Sequence, residues 1–355
     1  MFAPLLTVLL LAQARPETIA RQAEAARDAD RVDEAIRLYR RGTAASPKWS
    51  EGWWNLGTLL YDRNAYTDAK VAFEKFVKLE PKAAPGWAFL GLCEYELHDY
   101  GPSLEHLQKA LKAGLPNGDA LAKVSRYHAA LLLTRIGEFE NALQLFAQLA
   151  VQGAGDHETI VATGIAGLRI AILPDMLPES EKDLAFETGH AIRESGARRE
   201  AEAWREFADL ISRHPAQSEL HDLFGRALVS SDPDRALEEW KKELTATPKH
   251  VPARLEIAFE YLKRGQAEMG LQYAREAVER EPGLFAAHNA VGQLLIRTGD
   301  LAGGVAELEK ARDLAPRSPE TRAALASAYG KAGRSADAAR ERAEFMRLTK
   351  ERDGS

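Results

Sequence analysis

From residue 16 onward, apolar residues recur three and four positions apart, and no segment alternates residue by residue as a half-buried strand would. That period predicts amphipathic helices. Prolines interrupt it at Pro47, Pro81 and Pro116, spaced 34 and 35 residues apart, and at Pro215, Pro248, Pro282 and Pro316, spaced 33, 34 and 34 apart. A proline cannot continue a helix interior, because it has no amide proton and its ring clashes with the preceding turn. Each proline therefore closes one unit. Midway through the units stand residues that tolerate a positive φ: Asp30, Asn64, His98, Gly137, Gly265, Gly299 and Gly333. A left-handed residue there ends one helix before the next begins. The predicted unit is a helix, a tight turn and a second helix.

Within these units Trp53-x-x-Leu56-Gly57, Ala69, Phe73 and Pro81 stand in a fixed order, and Trp87-x-x-Leu90-Gly91 opens the next copy. This order resembles the tetratricopeptide repeat. It returns at Ile257-Ala258, Tyr261, Gly270 and Pro282, at Val291-Gly292, Gly304, Ala311 and Pro316, and at Leu325-Ala326, Tyr329 and Ala338. Degenerate copies are read at Ala23, Ala35, Tyr39 and Pro47, at Ala130, Gly137, Ala142 and Phe146, and at Gly225, Ala236, Trp240 and Pro248. The expected fold is all-α, an α-solenoid of about nine helix-turn-helix repeats. The resemblance implies a right-handed superhelix with a concave inner face. Gly57, Gly91 and Gly292 are expected where helices cross closely, and Leu60 stands where the repeat usually carries a tyrosine.

Four segments are expected: a signal peptide at 1–14, an amino-terminal repeat block at 15–150, a break at 151–180, and a carboxy-terminal block at 181–355. The break holds Gly153, Gly155, an apolar helix candidate from Glu158 to Leu173, and Pro174 to Pro178, where two prolines four apart forbid a helix. It reads as an irregular joint, a degenerate repeat, or a loop folded over the groove. The last helix carries Arg342 where other copies are apolar and ends in Lys350-Glu351-Arg352-Asp353, which suits a solvent-facing cap.

The 355 residues are 45% hydrophobic and 28% charged, enough for a continuous core. A net charge of -6 speaks against nucleic acid or anionic lipid as the main partner and leaves a protein or peptide. The single cysteine, Cys93, excludes an intrachain disulfide and a cysteine-rich zinc site, and its place in a first helix predicts a buried, inert thiol. Phe2 to Ala12 is apolar apart from Thr7, and Ala12-Gln13-Ala14 is a small-x-small site followed by Arg15. This pattern predicts a secretory signal and a periplasmic or extracellular location. The competing reading is a hydrophobic start to the first helix and a cytoplasmic protein. Eleven residues are too few to cross a hydrocarbon core of ~30 Å, so no membrane-spanning helix is expected.

Motifs of catalysis fail one by one. His157-Glu158-Thr159-Ile160-Val161 has valine where a zinc-binding helix needs its second histidine. Gly153-x-Gly155 has no third glycine and no preceding strand. The nine histidines form no i, i+4 pair. No catalytic, metal or cofactor residue is expected. The resemblance instead implies a groove lined by the first helix of each pair. Its amino-terminal candidates are Trp54, Thr58, Tyr61, Ala88, Leu92, Tyr95, Tyr127 and Leu131, and its more polar carboxy-terminal candidates are Asn289 and Gln293. Trp53 is expected in the core, and its neighbour Trp54 on the groove. Relatives that clamp a terminal carboxylate use lysines and asparagines, but the matching places here hold Ala20, Glu24, Asn55, Pro85 and Phe89. The expected function is a non-catalytic scaffold that binds a protein or extended peptide. The alternatives are an accessory subunit of an envelope, secretion or wall-assembly complex, and an unrecognised enzyme working in the groove.

Overall fold

The computed structural model describes residues 16–116, 119–153 and 155–353, so the expected signal segment lies outside the described residues. The chain divides into two compact units, 1–133 and 134–355. In the first, α1 (Pro16–Asp28) pairs with α2 (Val32–Ala45), α3 (Ser50–Asp62) with α4 (Tyr66–Leu79), and α5 (Ala84–Glu96) with α6 (Tyr100–Ala113); α7 (Ala120–Arg135) follows. The second begins with α8 (Phe139–Val151) and α9 (His157–Gly167). It continues with α10 (Glu179–Gly196) and α11 (Glu200–Arg213), α12 (Leu220–Leu228) and α13 (Pro233–Ala246), and α14 (Val251–Lys263) and α15 (Ala267–Arg280). The pairs α16 (Phe285–Thr298) with α17 (Leu301–Leu314) and α18 (Pro319–Lys331) with α19 (Ser335–Asp353) complete it. No strand occurs among the described residues. The division between units falls well before the break expected at 151–180, which lies inside the second unit.

The turns are the predicted ones. Asp30, Asn64, His98, Gly137, Gly265, Gly299 and Gly333 all have positive φ, between 56° and 97°. At Asn64 the chain reverses by donating Asn64 N–H to Tyr61 O at 2.8 Å and Ala65 N–H to Leu60 O at 2.9 Å, which satisfies carbonyls at the end of α3. Arg169, Arg198 and Glu219 add three further left-handed residues that the sequence reading missed, because none is a residue type that favours this region.

Close crossings explain the small residues. A Cβ on Gly57 would lie 2.8 Å from the ring of Phe73, one on Gly91 2.8 Å from Leu107 Cγ, and one on Gly292 2.7 Å from Leu308 Cγ. The tightest approach joins α9 and α10, where a Cβ on Gly164 would lie 1.7 Å from Ala185 O and one on Gly189 1.9 Å from Ile160 O. Here the two backbones touch. Every residue of α9 from Thr159 to Gly167 is buried. α9 also ends earlier than its apolar pattern predicts. Leu168 and the left-handed Arg169 terminate it, while Leu168, Leu173 and Leu177 stay buried beyond the helix. Apolar periodicity ran on to Leu173 because the loop is core as well. After α9 the chain makes only a 3-10 turn, Pro174–Met176, where the repeat's second helix would begin, and α9 packs instead on α10.

One polar contact recurs at the closing prolines. Trp53 Nε1–H donates to Pro47 O at 3.0 Å, and Trp87 Nε1–H to Pro81 O at 2.9 Å. At the same register in later repeats, Arg254 Nη2 donates to Pro248 O at 2.7 Å, His288 Nε2 to Pro282 O at 3.0 Å, and Arg322 Nη2 to Pro316 O at 2.7 Å. In every case the donor lies six residues past the proline. The turn leaves a carbonyl without a helical partner, and the side chain satisfies it.

Candidate functional site

Aromatic side chains gather on α3 to α7 of the first unit. Trp54 on α3 is half-buried, with its ring 5.9 Å from Phe73, 5.2 Å from Phe76 and 5.6 Å from Phe89. Phe89 stacks on Phe73 at 5.2 Å, and Tyr61 meets Phe89 edge-on at 5.1 Å. A second group lies on α5 to α7: Tyr95 contacts Tyr100 at 5.6 Å and His128 at 4.4 Å, and His128 contacts Tyr127 at 5.5 Å.

The repeat builds parts of both groups. Tyr61 and Tyr66 pack at 5.4 Å, and the equivalent pair one unit on is Tyr95 and Tyr100. Each second tyrosine bonds to the side chain of its own left-handed residue: Tyr66 Oη to Asn64 Oδ1 at 2.8 Å, and Tyr100 Oη to His98 Nδ1 at 2.7 Å. Burial, with the Tyr66 phenol beside it, pushes the Tyr61 phenol up to about 12, so it remains a hydrogen-bond donor at neutral pH. Burial also holds His128 below its ordinary value. The neutral ring donates Nδ1–H to Val124 O at 2.8 Å and presents its edge to Tyr95.

Of the ten residues singled out from the sequence, Trp54, Thr58, Tyr61, Tyr95, Tyr127 and Gln293 are half-buried. The other four are a correction: Ala88, Leu92, Leu131 and Asn289 are 0%, 3%, 4% and 6% exposed, too little to meet a partner. Counting positions along a helix gives the direction of a side chain, not how far the neighbouring helix covers it. Gln293 Nε2 donates to Asn289 Oδ1 at 3.2 Å, and Thr58 Oγ1 to Asn55 O at 3.1 Å. The expected contrast between Trp53 and Trp54 is also corrected. Both are half-buried, and Trp54 carries the denser ring packing.

The residues of possible chemistry are otherwise engaged. Cys93 is fully buried, and its thiol is pushed up to about 12 by burial and then by Glu94, so it stays protonated. His157 stacks on Phe186 at 4.7 Å.

The second unit brings together three residues the sequence did not connect, Glu219, Asp222 and His250, with ligand atoms within 4.8 Å of one another. Their signal was faint: a Glu-x-x-Asp on one turn and a histidine one repeat later. His250 Nδ1 accepts from Ala253 N–H at 3.0 Å, so the ring proton sits on Nε2, 2.8 Å from Glu219 Oε2. Both nitrogens are occupied, and neither offers a lone pair to a metal. Glu219 N–H in turn donates to Glu243 Oε1 at 3.2 Å, so the cluster ties α12, α13 and α14 together.

The family model described as tetratricopeptide repeat matches residues 21–86, 55–120 and 255–319. No curated protein matches the chain. Among solved structures, the MamA RS-1 ArsTM double mutant is 22% identical over 48% of this chain and 96% of its own, with a TM-score of 0.43. MamA from Desulfovibrio magneticus RS-1 is 22% identical over 47% and 95%, also at 0.43. A further MamA crystal structure is 13% identical over 50% and 96%, at 0.39. No helix among the described residues is long and apolar enough to cross a membrane.

Proposed function

We propose that this chain, a tetratricopeptide-repeat protein, is a non-catalytic scaffold that binds an extended peptide segment of a protein partner along the aromatic face of α3 to α7. The carrying observation is that Trp54, Tyr61, Tyr95 and Tyr127, on successive first helices, all remain half-buried and not sealed. Aromatic side chains bury much area with few rotors and dominate peptide recognition. Their packing on Phe73, Phe89 and His128 fixes them before a partner arrives, which lowers the ordering cost of binding.

A location outside the cytoplasm belongs to the same reading and rests on the apolar segment Phe2 to Ala12 and the Ala12-Gln13-Ala14 site alone. Amino-terminal sequencing of the native protein tests it: Arg15 first supports export, and an intact Met1 overturns cleavage.

The binding site is tested with linear peptides selected from a random library on the purified chain. Tyr95→Ala and Tyr127→Ala, both in the half-buried ring group of α5 to α7, are expected to weaken the selected peptides by about 2 kcal/mol while circular dichroism is unchanged. Unaltered affinity in both folded variants overturns the assignment. Trp54→Ala is a poorer probe, because Trp54 packs on the fully buried Phe73.

A further inference from the structure

Beside α9 in the second unit is a cavity of about 260 Å³, walled by α8, α9 and the last turn of α10. Phe146, Ala150, Ile160 and Ile192 line it, and Val151, at 86% exposed, marks its mouth. The walls are apolar in effect, because their two hydroxyls bond elsewhere. Thr163 Oγ1 donates to Thr159 O at 2.7 Å, and Thr159 Oγ1 to Asp156 Oδ2 at 2.9 Å. An apolar cavity of ~150 Å³ already stays dry and takes up a small hydrocarbon.

Two arginines also line this cavity, and they differ. Arg199 gives Nη2 to Glu194 Oε1 at 2.6 Å and Nε to Oε2 of the same carboxylate, so its fork is filled. The Arg193 guanidinium makes no hydrogen bond within 3.5 Å among the described residues, and its ion-pair contact with Glu194 is a loose one. Its nearest carboxylate oxygen is Glu194 Oε1, 3.8 Å from Nη1, already held by Arg199. The Arg193 guanidinium lies against Gly155, where a Cβ would come within 2.8 Å of Nη2 and 3.0 Å of Cζ. The glycine leaves room for the guanidinium in that place, and its donors remain open.

We infer that this cavity binds a small aliphatic carboxylate of the fatty-acid class, with the hydrocarbon chain inside and the carboxylate on Arg193. A planar guanidinium offers two parallel donors to a carboxylate, a match an ammonium cannot make. At ~30 Å³ per water-sized group the cavity has room for roughly nine such groups, which suits a medium-length chain. The site is independent of the aromatic face, so either assignment can fail alone.

Titration calorimetry with decanoate, decylamine and acetate on the whole protein tests the inference. One decanoate per chain is expected, with decylamine at least tenfold weaker and acetate unbound. Arg193→Gln should bring decanoate down to the level of decylamine. Ala150→Phe, which fills the cavity, should abolish both, and Ala147→Leu serves in its place if Ala150→Phe loses helicity. The inference is overturned if acid and amine bind alike to the unmutated protein, if the filled cavity still binds decanoate, or if no decanoate binds. Binding confined to peptides with a free, apolar carboxy-terminal residue would overturn it too.

Discussion

The repeats at α3 to α6 and those at α14 to α19 close the same turn with different side chains. In the first region the donor to the proline carbonyl is Trp53 or Trp87; in the second it is Arg254, His288 or Arg322. What the unit requires at this place is an N–H group of the right reach. Aromaticity is optional. The choice has consequences for what else the residue touches. Trp87 stacks on His106 at 5.2 Å and carries Lys109 3.4 Å above its ring. The arginine and histidine donors instead meet a carboxylate of the following helix: Arg254 to Glu276 at 2.9 Å, His288 to Glu307 at 2.6 Å and Arg322 to Glu341 at 2.7 Å. One region secures its pairs by ring packing, the other by charge.

Removing the ring should show the larger effect. Trp87→Ala deletes a side chain only 9% exposed together with its hydrogen bond, and is expected to cost ~3–5 kcal/mol in urea unfolding. A loss below ~1 kcal/mol would mean that the ring is not what secures its pair. Arg254→Ala comes next. It leaves Pro248 O, His250 O and Glu276 without their donor and should cost about 2–3 kcal/mol.

A finer test separates donor from shape at residue 288. His288→Gln keeps an N–H for Pro282 O while His288→Leu does not, so Gln should be the more stable by ~1 kcal/mol. Equal stability of the two variants would break the donor rule. The smallest effect is that of pH. Glu307 lies below the ordinary carboxylate value: burial opposes this, but Lys310 and His288 outweigh it. Glu239 is lowered likewise by His221 and Lys242 against burial, and Glu194 chiefly by Arg199. A carboxylate with a depressed folded pKa stabilises fully above its unfolded value of about 4.3, and that stability is lost as pH falls through the folded one. All three lie in the second unit. Hydrogen exchange followed by mass spectrometry should therefore show the second unit losing protection before the first below about pH 4. Simultaneous loss would remove the charge side of the comparison.

The fold was legible because its punctuation is local. Proline and the left-handed residues act through their own backbone, and all seven predicted turn positions were found. Arg169 and Arg198 escaped because arginine seldom marks a left-handed position, although both close the same local turn as Asn64, with Arg169 N–H on Ala166 O and Arg198 N–H on Ser195 O; Glu219, left-handed before α12, escaped for the same reason of residue type. The break was harder still, since Leu168, Leu173 and Leu177 are buried in a loop and so imitate the period of a helix. The aromatic face was half-legible: Trp54, Tyr61, Tyr95 and Tyr127 kept some exposure, whereas Ala88 and Leu92 lie inside the core. Arg254, His288 and Arg322 could have been found from their constant place six residues after a proline. They were missed because the reading looked for tryptophan there, not for a donor.

The six-residue reach of the proline contact also bears on how the chain is made. Closing a loop of about ten residues takes ~10–100 ns, while synthesis at ~5–20 residues per second needs seconds to deliver a unit of this length. The turn from one repeat to the next therefore samples its closure many millions of times in the time the next repeat takes to emerge. Donor and acceptor never depend on a distant segment, whether the donor is Trp53 or Arg322. Each junction between repeats carries its own turn instructions through the ribosome exit, and only the full packing of one pair on the next has to wait for more chain.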